Sequence, residues 1–319
     1  MNEKSVREIM FLEPVFKETI WGGKKLREEF GYPVSGETVG ECWGIAAHPN
    51  GDVEVKGGAF AGMKLSEVWR EHPEVFGYAR GDRFPLLTKI IDAQADLSIQ
   101  VHPDDVYAKE NENGSLGKTE CWYVLDCPEN ATLIIGHNAR SRAEMEQMVQ
   151  NGEWERFLRE VPVKKGDFIQ INPGTLHAIK GGFLILESQQ NSDVTYRVYD
   201  YDRQSDGKPR PLHIRQSMDV TTVPAEAVEH TIWSTDGLPV NKLNSLYSCG
   251  YYEVFKLDVK GEAVFEQSYP FLLMSVVEGC GKLDSFDVKK GDHFILPCGA
   301  GELGFAGEMT IIASTVGES

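Results

Sequence analysis

Two stretches of similar sequence indicate how the chain folds: VKKGDFIQINPGTLH at residues 163–177 and VKKGDHFILPCGAGE at residues 288–302. In each stretch a Lys-Lys-Gly-Asp turn precedes a short apolar run, and a turn rich in proline or glycine follows it. The repeat therefore predicts two related β-structures, one in each half of the chain. The first stretch ends in His177, whereas Gly301 or Glu302 stands near that place in the second. We therefore expect only the first half to carry a ligand.

Short apolar runs recur between turns along the whole chain, as expected for strands. Strands of about five residues at roughly ten-residue spacing are typical of an all-β sandwich or barrel. We therefore predict a mainly β chain of two β-barrels, divided into residues 1–235 and 236–319. Ser141 and Glu144 form a capping-box pattern ahead of Met145, and Trp154 with Phe157 repeats helical spacing. A small helical insertion is therefore predicted at about residues 138–160.

The composition excludes several classes of protein. The 319 residues include 32 Lys+Arg and 49 Asp+Glu, a formal net charge of −17 without any basic tract, so nucleic acid is a poor candidate ligand. No apolar run approaches the ~20 residues of a spanning helix, and the first ten residues lack the apolar core of a signal peptide. The six cysteines form no C-x-x-C pair and indicate neither a zinc–cysteine site nor a disulfide framework. We expect a cytoplasmic protein without a membrane partner, either a monomer or a weak homo-oligomer.

Polar side chains alternate along the predicted strand LSIQVHPDD, residues 97–105. Ser98, Gln100 and His102 share one face, because side chains alternate along a strand. Glu120 lies among apolar neighbours in a second strand, where a carboxylate needs a metal or a cation. His177 begins a third. Two imidazoles and one carboxylate are a common ligand set for catalytic zinc or non-haem iron with an open position.

Several motifs together resemble the type I phosphomannose isomerases, which are zinc-dependent mannose-6-phosphate isomerases of the cupin superfamily. The motifs are LSIQVHPDD at 97–105, KTECW at 118–122, PGTLHA at 173–178, PVFKETIWGG at 14–23, ECWGIAA at 41–47 and NSDVTYRVYDYDR at 191–203. The resemblance covers most of residues 11–215. It implies two cupin-type jelly-roll barrels, of which the second is metal-free. It also implies one Zn²⁺ per chain held by Gln100, His102, Glu120 and His177, and a catalytic arginine at Arg197.

The implied reaction interconverts mannose 6-phosphate and fructose 6-phosphate, most simply through a cis-enediol or enediolate. Arg197 is not the base, because guanidinium stays protonated; we expect it to stabilise the enediolate oxygens. The candidates for binding the phosphate of the phosphosugar substrate are Arg203, Lys118 and Ser98. The base is left open among a zinc-bound hydroxide, Lys118, Glu187 and Asp202.

Two other functions use the same ligand set. An iron-dependent cupin dioxygenase also suits two histidines and one carboxylate. That function predicts an apolar pocket for an aromatic or thiol substrate, and it leaves Arg197, Arg203 and Lys118 unexplained. A non-catalytic sugar-binding double barrel predicts a fold that melts when the metal is chelated and a protein without turnover.

Overall fold

The computed structural model describes residues 7–205 and 207–317, so the outer limits predicted for the two halves, residues 1 and 319, lie outside the described residues. The first half is built on two antiparallel sheets. The larger, seven-stranded sheet has the spatial order β18 (Ile232–Ser234), β12 (Asp167–Ile171), β9 (Glu120–Asp126), β14 (Leu184–Gln190), β7 (Leu86–Asp92), β3 (Val39–Ile45) and β2 (Val15–Gly23). The five-stranded sheet has the order β11 (Leu158–Pro162), β10 (Thr132–His137), β13 (His177–Ala178), β8 (Ile99–Val101) and β15 (Tyr196–Tyr199).

These two sheets share one apolar core. Trp122 and Ile169 from the seven-stranded sheet and Leu133, Ile135 and Val161 from the five-stranded sheet belong to one buried cluster. The sheets therefore pack on each other as the layers of a sandwich, and side chains at their ends can meet.

The strands of the second half form a third antiparallel sheet of eight strands. Its members are β19 (Asn244–Ser248), β20 (Tyr252–Gln267), β24 (Gly301–Val316), β21 (Leu272–Leu283), β23 (His293–Leu296), β1 (Met10–Glu13) and β6 (Glu54–Val55), with β22 (Phe286–Lys289) on β21. The strand β1 joins this sheet from the start of the chain, with Met10 paired to Ile295. Two short ribbons, β4–β5 (Ala47–His48, Gly51–Asp52) and β16–β17 (Gln204–Ser205, Lys208–Pro209), complete the strands. The sheets are open rather than closed barrels, and the division at residues 235 and 236 stays a prediction.

Short helices connect strands along the described chain. They are α1 (Lys25–Glu28), α2 (Leu65–Glu71), α3 (Asp105–Asn111), α4 (Arg142–Gln150), α5 (Trp154–Phe157) and α6 (Ile214–Val220), with 3₁₀ turns at Gly58–Phe60, Pro73–Phe76 and Val228–His230. The predicted small helical insertion is confirmed: it contains α4 and α5, β11 begins directly after it at Leu158, and the Ser141 hydroxyl accepts a hydrogen bond from the Glu144 amide at 3.2 Å. Within the described ranges, every helix is too short or too polar to cross a membrane.

The repeated Lys-Lys-Gly-Asp sequence forms the same turn twice. The Lys164 amide donates to the Asp167 carboxylate at 2.9 Å, and the Lys289 amide donates to the Asp292 carboxylate at 2.8 Å. The glycine of each turn has a positive φ, +88° at Gly166 and +94° at Gly291, which a side chain would disfavour. The sequence repeat therefore reflects a repeated local structure.

An aromatic cluster joins the two halves. Phe271, fully buried just before β21, packs on Phe76 and Phe84 with ring centroids 5.5 and 6.0 Å apart. We expect Phe271→Ala to lower the free energy of unfolding by about 3–5 kcal/mol, because it leaves a cavity the size of a ring. Urea unfolding checks this against Phe286→Ala, whose ring is 39% exposed. An equal loss in both variants would contradict the role of the cluster.

Candidate metal centre and active site

Three buried side chains contributed by both sheets of the first half come together: His102, Glu120 and His177. His102 Nε2 lies 3.3 Å from Glu120 Oε2, and His177 Nε2 lies 3.4 Å from Glu120 Oε1. One ligand atom from each residue lies within 4.8 Å of the others. Two imidazole nitrogens and one carboxylate at this spacing can hold a divalent metal ion.

Strand pairing explains why residues far apart in sequence meet. His177 of β13 is paired with Gln100 of β8, and Gln100 is paired with Arg197 of β15. These three residues therefore form a row across three neighbouring strands. His102 directly follows β8, and Glu120 begins β9 in the other sheet. The structure thus brings together the four predicted metal ligands and the predicted catalytic arginine.

The hydrogen bonds of the two imidazoles suit a metal ligand. His102 Nδ1 lies 2.8 Å from the Val194 carbonyl oxygen, and His177 Nδ1 lies 2.9 Å from the Thr175 carbonyl oxygen. A carbonyl only accepts, so each Nδ1 carries the proton and each Nε2 presents a lone pair to Glu120. Glu120 Oε1 is itself buried without a hydrogen-bond partner in the described part of the chain. Such an arrangement fits a bound cation and provides the outer hydrogen bonds common at metal sites.

The protonation states of the three clustered side chains also suit metal binding. Burial, and after it the positive charge of Lys118, lowers the pKa of His102 to about 3, and burial lowers the pKa of His177. Burial opposes ionisation of Glu120, but the charge of Lys118 outweighs it and holds the pKa of Glu120 well below its usual range. Neutral imidazoles and a carboxylate are the forms that bind a metal.

The fourth predicted ligand, Gln100, lies beside this cluster. Its side-chain Nε2 is 3.3 Å from His177 Nε2, and Ser98 Oγ donates to its Oε1 at 3.4 Å. The amide therefore lies next to a ligand nitrogen, and rotation of the amide would turn its oxygen toward the same place. Direct ligation by Gln100 stays a prediction.

Buried lysines and glutamates form a network on the other side of the cluster. Lys118 Nζ contacts the Glu120 carboxylate and lies 3.2 Å from Glu187 Oε1. Lys89 Nζ lies 3.4 Å from Glu187 Oε1 and 3.8 Å from Glu41 Oε2. Burial disfavours the charged form of Lys89, but the charge of Glu187 outweighs this and raises the pKa of Lys89. Both ammonium groups are therefore compensated by carboxylates.

A cavity of about 180 Å³ adjoins the metal-ligand cluster. Its polar lining residues include Ser98, Gln100, Lys118, Glu187, Arg197 and Arg210. Within the cavity wall, the Nε atom of Arg197 is buried and has no hydrogen-bond partner among the described residues. The cavity thus offers hydrogen-bond donors to a polar ligand, and it holds the predicted Ser98 and Lys118.

The structure places the predicted phosphate residue Arg203 elsewhere, outside the lining of this cavity. Its Nη2 donates to Asp200 Oδ1 at 2.5 Å, its Nε donates to the Asp200 carbonyl at 3.2 Å, and its Nη1 contacts the Asp96 carbonyl. Asp202, one of the candidate bases, is exposed and also lies outside the lining. The phosphate role of Arg203 stays a prediction, with its guanidinium already held by three protein oxygens.

Sequence reasoning missed Lys89, Glu41 and Arg210 in this cavity. Lys89 and Glu187 are direct partners across β7 and β14, two strands that are buried along their whole length. A charged residue within such an apolar strand is a signal of function, because burying it requires a partner. Arg210 follows the β16–β17 ribbon, and no motif in the sequence marks it.

The open cupin-type sheets and the buried two-histidine, one-glutamate cluster define the class: a cupin chain with a candidate metal centre. Residues 9–125 match the family described as phosphomannose isomerase type I, catalytic domain, and residues 242–316 match mannose-6-phosphate isomerase, cupin domain. The mannose-6-phosphate isomerase ManA of Bacillus subtilis is 49% identical over 96% of this chain and 98% of that protein.

Solved structures agree with these matches. A crystal structure of the mannose 6-phosphate isomerase from Bacillus subtilis is 48% identical and covers 97% of this chain and 99% of that chain, with a TM-score of 0.88. A zinc-bound mannose 6-phosphate isomerase is 15% identical with a TM-score of 0.74 and covers 97% of this chain and 100% of that chain, so it supports the fold alone. The chain belongs to the type I phosphomannose isomerase family. The predicted family, the predicted enzyme class of mannose-6-phosphate isomerase and the predicted mainly β, cupin-type fold are confirmed.

Proposed function

We propose that this chain is a zinc-dependent isomerase that interconverts mannose 6-phosphate and fructose 6-phosphate through a cis-enediolate. The observation that carries the proposal is the buried His102–Glu120–His177 cluster beside a polar cavity that also holds Arg197. One cluster in the described ranges supports one zinc ion per chain. A cytoplasmic location, a phosphosugar as the partner, and a monomer or weak homo-oligomer remain part of the proposal.

The reaction moves one hydrogen between C1 and C2 of the open-chain sugar. A base removes the C2 proton of the aldose, and negative charge develops on O1. After proton exchange between O1 and O2, the base returns its proton to C1 and the ketose forms. Zinc held by His102, Glu120 and His177 would supply a Lewis acid for the substrate oxygens. Arg197 supplies hydrogen-bond donors to the developing charge. Such donors stabilise a transition state more strongly in a site that excludes water.

Glu187 is the residue that best suits the role of base. It lines the cavity and lies 3.2 Å from Lys118, whereas Asp202 is exposed outside it. Burial, and then the charge of Glu120, raises the pKa of Glu187, and a base is more effective when its pKa approaches the working pH. Lys118 as an ammonium has no lone pair to accept the proton. Its contact with Glu187 suits a role in orienting that carboxylate.

The lining of the cavity argues against the two other functions. Two lysines, two arginines and two glutamates are among the fifteen residues that line it, and a dioxygenase for an aromatic or thiol substrate is expected to have an apolar pocket. A protein that only binds sugar has no need of an arginine with an unpartnered buried nitrogen beside the metal ligands.

A coupled assay for fructose 6-phosphate formed from mannose 6-phosphate tests the proposal. We expect turnover in the zinc-loaded protein, loss of turnover after chelation and recovery when zinc is restored, because the Lewis acid leaves and returns. Circular dichroism of the chelated protein separates loss of the metal from loss of the fold. Absence of turnover in protein that contains zinc would contradict the proposal.

A further inference from the structure

The charges around the cavity are unevenly distributed. At one end, the ammonium groups of Lys89 and Lys118 lie within 3.2–3.8 Å of carboxylates from Glu41 and Glu187, and Lys118 also contacts Glu120. A second anion placed there would compete with carboxylates that already hold these cations. The lysine end of the cavity therefore offers little net attraction to a phosphate dianion.

At the end of the cavity lined by Arg197 and Arg210, here called the arginine end, cations outnumber carboxylates. Arg203 and Arg210 share one carboxylate, that of Asp200, and Arg197 forms no ion pair with the described residues. Two guanidinium groups thus share one buried carboxylate, and the third is left without an ion-pair partner among the described residues. Arg197 and Arg210 line the same cavity, where two like charges repel each other; burial, and then the charge of Arg210, lowers the pKa of Arg197. An anion bound between them would relieve that repulsion.

The hydrogen bonds of the two arginines on Asp200 differ in what they leave free. Arg210 donates from Nε and Nη2 to the two oxygens of Asp200 at 2.6 and 2.5 Å. This bidentate contact fixes its guanidinium, and Nη1 has no partner in residues 7–205 and 207–317. Arg203, in contrast, has a protein oxygen at each of its three nitrogens. Of the two, only Arg210 lines the cavity.

We propose that Arg210, oriented by Asp200 and adjacent to Arg197, binds the phosphate group of the substrate and sets the preference for phosphorylated over neutral sugars. An arginine held on one edge and open on the other is preorganised for a phosphate oxygen, so little side-chain entropy is lost on binding. This inference rests on the proposed isomerase function, because it assigns the phosphate end of that same substrate.

Steady-state kinetics with mannose 6-phosphate, together with inhibition by inorganic phosphate, test the inference. We expect Arg210→Met to raise KM and the inhibition constant of phosphate by about 10- to 100-fold, the range for a lost hydrogen bond to a charged group. The turnover number and the zinc content should remain close to those of the wild type. Arg210→Lys should recover part of the affinity, since it keeps the charge and loses the fork.

Arg203→Met is the decisive comparison, because Arg203 shares the Asp200 carboxylate but lies outside the cavity. Arg70→Met, at an exposed helix position, controls for the loss of one positive charge. If Arg203→Met weakens phosphate inhibition and Arg210→Met does not, the inference is overturned and the sequence-based assignment of Arg203 stands. If the wild type shows no turnover, the proposed function fails. Calorimetry of inorganic phosphate binding to the wild type and Arg210→Lys then still tests Arg210, and unchanged binding would overturn its role.

Discussion

Replacing His102 by alanine is expected to remove the bound zinc and to lower kcat/KM by more than about 100-fold. Loss of a residue that only hydrogen-bonds to a metal ligand costs about 10- to 100-fold, and loss of the ligand itself should cost more. The remaining two side chains of the cluster, Glu120 and His177, are too few to hold the ion with the same affinity. Metal analysis of the purified protein and kinetics with mannose 6-phosphate measure the two effects separately.

His230→Ala is the control for the loss of one imidazole, because His230 is exposed and distant from the cluster in sequence. If His102→Ala fails to fold, Glu120→Gln tests the same centre, since it keeps the size of the side chain and removes the charge that binds the metal. Full activity with zinc still bound in either variant would refute the ligand assignment.

The metal-ligand cluster was largely predictable from the sequence because its residues lie in or beside strands. Alternation along the strand placed Gln100 and His102 on one face, and the motifs carrying Glu120 and His177 are specific to the family. The register of β13, β8 and β15 then sets His177, Gln100 and Arg197 side by side. That register depends on pairing between segments up to a hundred residues apart, which no local pattern contains.

The arginine end of the cavity was harder to predict because it depends on a loop. Arg203 and Arg210 both follow strand β15 and both bind Asp200. The path of the loop after Asp200 places Arg210, and not Arg203, in the cavity wall. Loop paths are fixed by tertiary hydrogen bonds rather than by hydrophobic periodicity. The sequence analysis named Arg203, whereas the structure places Arg210 in the lining of this cavity.

The pairing of β1 with the second half also depends on contacts between residues far apart in the sequence. Residues 10–13 read as part of the first half, but they pair with β23 of the second. The buried core of β23 and its neighbours includes Leu272 and Phe294, and Phe11 packs on Phe294 with ring centroids 5.3 Å apart. A long-range apolar contact of this kind outweighs proximity along the chain.

Replacing Arg197 by alanine is expected to lower kcat by about 100-fold or more while zinc content and fold are kept, the scale of losing one preorganised donor to a developing oxyanion. The reason is local: Arg197 lines the cavity beside Gln100, and its Nε is buried with no partner in the described structure. Because no protein group in the described structure occupies this donor, we expect its contribution to be greatest where charge develops. Steady-state kinetics, metal analysis and a thermal melt provide the three measurements.

The division between kcat and KM separates the two arginines of the cavity. An interaction made mainly in the transition state lowers kcat, whereas one made equally in both states raises KM alone. Arg197→Ala should therefore change kcat, and Arg210→Met should change KM. Arg197→Lys should recover little of the kcat, because an ammonium cannot reproduce the fixed planar fork. If Arg197→Ala raised only KM, Arg197 would join Arg210 as a phosphate-binding residue, and the stabilisation of the enediolate would have to come from the metal centre and its neighbours.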